Sequence, residues 1–138
     1  MRGLAALVLL ATIATACGES APAFDAKSVQ LVVEMRDYSV KPSVDTVKAG
    51  TIKIGIRNLA GMEHDLVVLK TDVAPDKLPY DTGRAQVIET GLIGKQVVEP
   101  QRSGALTVTL EPGNYVLICN VAGHYQLGMR AALKVTSE

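Results

Sequence analysis

From Val29 onward, apolar and polar positions alternate with a period of two, the pattern of strands that bury one face. Val29, Leu31, Val33 and Met35 form one apolar row. Ile52, Ile54 and Ile56 form another, set against Thr51, Lys53, Gly55 and Arg57. Leu106, Val108 and Leu110 alternate with Thr107 and Thr109. Tyr115, Leu117 and Cys119 then point one way and Val116 and Ile118 the other, and Ala131, Leu133 and Val135 make a last strand. Lys48-Ala49-Gly50 separates two short strands. Glu111-Pro112-Gly113-Asn114 predicts a tight turn that pairs the Leu106 and Tyr115 strands as a hairpin. Short strands punctuated in this way predict an all-β fold, a Greek-key β-sandwich of about seven to eight strands. Between residues 72 and 103 the pattern breaks repeatedly at Pro75, Pro79, Gly83, Gly91, Gly94 and Pro100, and Arg84 to Glu89 fits one helical turn or a strand equally well.

The first residues follow a different rule. Arg2 is a lone charge before an apolar run, Leu4 to Ile13, that is too short to span a bilayer. Ala14-Thr15-Ala16-Cys17 follows and resembles a bacterial lipobox, cut before Cys17 with lipid added to its thiol; Ala14 stands where such motifs usually carry Leu. An ordinary signal peptide cut after Ala14-Thr15-Ala16 is the other reading. The expected organisation is a signal peptide of the lipoprotein type over 1–16, an anchor cysteine and flexible tether over 17–28, and one domain over 29–138. The product is expected to be exported and lipid-anchored to the cell envelope, on its periplasmic or extracellular face. Gly18, rather than Asp, after the anchor cysteine favours the outer membrane in a two-membrane cell.

Composition adds two constraints. Hydrophobic residues make up 48% of the chain but aromatics only 4%, with no Trp, so the core must be built from Val, Leu and Ile. Fourteen basic residues balance fourteen acidic ones, which leaves no electrostatic signature of nucleic-acid binding. The two cysteines each have separate work in view, so a Cys17–Cys119 bridge is not expected.

The candidate chemistry lies near the C-terminus. Cys119, His124 and Met129 are evenly spaced with four residues between each pair, and the only other histidine, His64, is far upstream. Taken singly each has a bland role: Cys119 a small buried hydrophobe, His124 a solvated loop residue, Met129 core filler, His64 the start of a strand. Together, two imidazoles, a thiolate and a thioether are the donor set of a blue-copper centre, in which soft sulfur favours Cu(I) and imidazole serves both oxidation states. Gly123 and Gly128 let the loop curl so that its donors converge, and in a sandwich His64 can reach the same end, so that the metal stitches the two sheets together. A zinc site and a Cys–His hydrolase are the competing chemistries. Met is a poor zinc ligand, and no third group orients Cys119 as a nucleophile.

Gly113-x-Tyr115-x-Leu117-x-Cys119 followed by Cys-x4-His-x4-Met resembles the type 1 copper motif of the cupredoxins, with gaps closer to the rusticyanin and sulfocyanin branch than to plastocyanin or azurin. Val47 to Thr51, Asn58 and His64-Asp65 resemble the family's first-histidine region. The resemblance runs from about Val29 to Val135. It implies one copper ion, with His64, Cys119 and His124 in the trigonal plane and Met129 axial, and a non-enzymatic single-electron carrier at the outer face of the cytoplasmic membrane or in the periplasm. It further implies redox partners such as a cytochrome c or an oxidase, docking near His124 on a weakly polar surface of Val121, Ala122, Gly123, Tyr125, Leu127 and Gly128. The alternative is a copper-binding carrier or homeostasis protein of the envelope. Asp65 departs from the Asn or Ser usual after that histidine. Backbone N–H groups near Asp65 or Asn120 are expected to donate to the Cys119 sulfur. The Glu63 carbonyl is a candidate to approach the metal opposite Met129, and Tyr115 is expected to pin a corner of the sandwich through its hydroxyl.

Overall fold

The computed structural model describes residues 24–137. The expected signal peptide and the anchor Cys17 lie outside the described residues. Of eleven strands among the described residues, nine form two main sheets. β1 (Leu31–Arg36), β2 (Ser39–Pro42), β4 (Gly50–Asn58) and β9 (Ser103–Leu110) make the first, in the order β2-β1-β4-β9. β3 (Thr46–Lys48), β5 (His64–Lys70), β8 (Leu92–Val98), β10 (Gly113–Ile118) and β11 (Arg130–Thr136) make the second, in the order β3-β11-β10-β5-β8. A separate pair of two-residue strands, β6 (Tyr80–Asp81) and β7 (Gln86–Val87), completes the set. A 3-10 turn, Ala26–Ser28, precedes β1. Eight strands have four residues or more, the expected number; the surplus is β3, β6 and β7, too short to show a period in sequence.

The alternation sets the two faces as expected. Leu31, Val33, Met35, Ile52, Ile54, Ile56, Leu66, Val68, Tyr115, Leu117, Cys119, Leu133 and Val135 share one core between the sheets. β5 and most of β10 differ from the rest because they are buried on both faces. Val67, Leu69, Val116 and Ile118 face outward from the second sheet and pack under Leu78, Tyr80, Val87 and Tyr125. Residues 71–90, irregular in sequence, thus form a flap over that sheet. β8 shows no clear period in sequence because Leu92, Ile93 and Val97 are exposed on an edge strand, while Gly94 interrupts the alternation; a Cβ at Gly94 would lie 2.7 Å from Val108 Cγ1 in β9, where the two sheet edges meet. Phe24, at the start of the described residues, is buried against Gly55, where any Cβ would overlap its ring.

One expectation fails. The strands flanking the 111–114 turn do not pair with each other. β9 pairs with β4 in one sheet, and β10 pairs with β5 and β11 in the other. The turn is an arch from sheet to sheet. Proline and glycine mark a reversal of direction in either case, and nothing local distinguishes a hairpin from an arch. Tyr115 fastens this corner: its hydroxyl donates to the Glu111 carbonyl at 2.9 Å and accepts from the Glu111 N–H at 3.1 Å. Tyr115→Phe removes both bonds inside a packed site and is expected to destabilise the metal-free domain by about 1–2 kcal/mol. Urea unfolding should show a lower midpoint with an unchanged slope.

Candidate metal centre

Three of the four expected donor residues meet at one end of the second sheet. His64 opens β5, in the row of Leu66 and Val68 that faces the core. Cys119 follows directly on β10, the antiparallel neighbour of β5. His124 lies in the loop from β10 to β11. The site therefore does not stitch the two sheets together, as the sequence suggested; all its donors come from adjacent strands of one sheet and their connection. Residue types reveal the face on which a donor lies, but strand order is a long-range property.

Cys119 Sγ is 3.6 Å from His64 Nδ1 and 3.4 Å from His124 Nδ1, and the two Nδ1 atoms are 3.2 Å apart. A point equidistant from all three lies about 2 Å from each, close to the length of metal–nitrogen and metal–thiolate bonds. The donor set thus fits a single first-row metal ion. His64 and Cys119 are fully buried and His124 is 9% exposed, less than a surface ligand would be, because the Tyr38 ring meets its edge at a centroid distance of 5.9 Å. Tyr38 holds φ at 64°, a left-handed conformation that a bulky residue adopts only when its surroundings enforce it.

Met129 is fully buried within the same core as Cys119. Its carbonyl accepts the Cys119 N–H at 3.1 Å, and its own N–H donates to the His124 carbonyl at 3.1 Å, so the loop closes back on the cysteine. Gly123 (φ 82°) and Gly128 (φ 115°) make the curl possible. Tyr125, expected on the surface, is only 2% exposed. It staples the loop to the flap: its hydroxyl donates to the Pro75 carbonyl at 2.8 Å and accepts the Leu78 N–H at 3.0 Å. The Gly123 N–H adds a bond to the Ala85 carbonyl at 2.7 Å.

On the other side, Asn58 fixes the approach to His64. Its Nδ2 is shared among the carbonyls of Met62, Val98 and Glu99, and its Oδ1 accepts the Ala60 N–H. The sequence offered Asn58 only as part of a resemblance; its burial, at 1% exposure, is what makes its amide structural.

Burial pushes the Cys119 thiol up to about 12, against the opposing pull of the Val121 and Asp65 N–H groups on the sulfur. Those two N–H groups match the expected pattern near Asp65. After the cysteine, the donor is Val121, because the Asn120 N–H goes to Asp65 Oδ1 at 2.5 Å. Burial, and then the neighbouring His124, lower the His64 pKa and favour the neutral imidazole that a metal requires. His64 Nε2 is buried without a hydrogen-bond partner among the described residues, so the ring's polar contacts are made through Nδ1 alone.

Two pH dependences follow. With a folded pKa raised above the unfolded 9.0, the thiol contributes stability that is complete below pH 9 and lost as pH climbs toward 12. Metal uptake must expel the Cys119 proton, so affinity should fall about tenfold per unit of pH on the acid side. Calorimetric titration in buffers of different ionisation enthalpy, together with urea unfolding of the metal-free domain above pH 9, measures both.

Comparison with protein-family models and with curated proteins gives no match. Among solved structures, reduced auracyanin from Roseiflexus castenholzii is similar at 22% identity over 76% of this chain and 94% of that one, with a TM-score of 0.57. Reduced rusticyanin is similar at 17% identity over 77% of each chain, with a TM-score of 0.55. Auracyanin A, a "blue" copper protein from Chloroflexus aurantiacus, is similar at 20% identity over 76% of this chain and 99% of that one, with a TM-score of 0.51. These likenesses are of fold, and the chain has the cupredoxin fold.

Proposed function

We propose that this chain is a type 1 blue copper protein that carries single electrons between redox partners. The observation behind the reading is the buried triangle of Cys119 Sγ with the two Nδ1 atoms. His64, Cys119 and His124 would hold the ion, and Met129, buried in the same core, would add a weak thioether donor. When bound there, copper supplies reversible one-electron exchange between Cu(II) and Cu(I). Hydrogen bonds independent of the metal hold the residues around it. Asn58 holds the approach to His64, the Met129 carbonyl holds the Cys119 backbone, and Tyr125 holds the loop carrying His124. A scaffold that does not rearrange with oxidation state lowers the barrier to electron transfer. The near-complete burial of all four side chains keeps water and substrates from the metal, which suits electron transfer better than bond-making chemistry.

His124 is the only donor residue with measurable exposure, and Leu127 (57% exposed) and Tyr38 (44%) stand beside its end of the molecule. This supports docking of a redox protein, such as a cytochrome c or an oxidase, over His124. A small apolar contact favours brief encounters. The Cys17 motif supports export and lipid attachment to the envelope, which would keep the carrier near membrane-bound partners.

Cu(II) added to the purified soluble domain should give an intense thiolate-to-copper absorption and narrow hyperfine splitting. Cys119→Ser should abolish the colour, and Met129→Leu should keep it with an altered potential. A metal that exchanges freely during redox cycling would point instead to a copper carrier. Leu127→Lys should slow reduction by the partner several-fold while the visible spectrum stays intact; stopped-flow reduction is the measurement.

A further inference from the structure

The acid that follows the first histidine is not alone. Asp65 is 5% exposed, and a carboxylate so buried needs compensation. One oxygen accepts the Asn120 N–H, one residue beyond Cys119. The other lies 2.9 Å from Lys95 Nζ. Lys95 comes from β8, the edge strand paired with β5, where it stands opposite Val67. Its ammonium also reaches Glu89 Oε1 at 3.0 Å. Asn120 ties the group together: Nδ2 donates to Glu89 Oε1 at 2.8 Å and to the Val87 carbonyl at 3.0 Å, and Oδ1 accepts the Val87 N–H at 2.7 Å. A chain of direct contacts thus runs from a half-exposed ammonium through Asp65 to the backbone next to the thiolate.

We propose that Lys95 is a positioning residue that sets the reduction potential: its ammonium neutralises Asp65, so the metal and its thiolate face an ion pair in place of a bare carboxylate. The inference rests on the electron-carrier reading above. A lone carboxylate near the site stabilises the more highly charged oxidised ion and lowers the potential. A cation 2.9 Å from that carboxylate cancels most of its field at longer range, and the low-dielectric surroundings of Asp65 leave the cancellation less screened than at an open surface. Glu89 competes for the same ammonium from a more exposed position, with a side chain 25% exposed against 7% for Asp65. The cluster therefore has a sign at each member: loss of Lys95 lowers the potential, loss of either carboxylate raises it. Burial alone would lower the Lys95 pKa, but its hydrogen bonds to Asp65 and Glu89 outweigh that and the net direction is upward, so the cation persists at neutral pH.

Redox titration of the copper-loaded soluble domain, followed by its visible band, tests this. Lys95→Gln should keep the band and shift the oxidised-to-reduced ratio at fixed ambient potential about tenfold toward the oxidised form, about 59 mV for one electron. Lys95→Arg should restore the parent value. In an Asp65→Asn background, Lys95→Gln should shift the potential much less, because only the more exposed Glu89 is then left unpaired. Glu89→Gln should raise the potential, and it carries the test if Lys95→Gln fails to fold. A purely structural ion pair would lower stability in every variant without this ordering of signs. An unchanged or raised potential in blue Lys95→Gln, a folded variant that loses its band, or an equal shift with and without Asp65 overturns the inference and leaves the carrier reading standing. A parent protein that never turns blue sinks both.

Discussion

Cys119, His64 and His124 hold three polar donor atoms within 3.6 Å of one another inside an apolar shell, and the surrounding fold is organised around keeping them there. Polar groups buried in this way need partners. Here the nearest partners of the donors are largely one another, with burial raising the thiol pKa and lowering that of His64. Both shifts favour the neutral side chains, so the metal-free site carries little charge to bury. A cation that binds there meets a His64 imidazole already biased to its neutral form and must displace the thiol proton.

Rigidity comes from three directions that meet at this end of the sheet. Asn58 ties the β4–β5 connection to β8, the Met129 carbonyl ties the ligand loop to Cys119, and Tyr125 with Gly123 ties that loop to the flap over the outer face. The flap buries Val67, Leu69, Val116 and Ile118, so β5 and β10 are packed on both faces. Strands held on both sides have little freedom to shift, and these two carry His64 and lead into Cys119. The second core thus serves the site as well as stability.

The strand alternation also sorts chemistry by face. His64 and Cys119 fall in rows that meet the inter-sheet core, whereas Asp65 falls in the row of Val67 and Leu69, opposite the strand that carries Lys95. A period of two thus places a donor and its electrostatic neighbour next to each other in sequence but in different rows. The donors stay in an apolar environment while the charged cluster keeps partial access to solvent through Lys95.

The sequence by itself determined whatever is written in short-range periodicity and spacing. It determined the alternating rows of β1, β4, β10 and β11, the Tyr115 corner, and the loop in which Cys119, His124 and Met129 recur at equal steps, because these depend on the direction of successive side chains and on glycines that permit a curl. Tertiary structure alone decided which strands pair. That pairing put β9 and β10 in different sheets, brought His64 beside Cys119 within one sheet, turned residues 71–90 into a cover and delivered Lys95 to Asp65. Tyr38 against His124 belongs with these. Each joins residues far apart in the chain, and such contacts are selected by the total burial and hydrogen bonding of the assembled sheets, a quantity that no local window of residues contains.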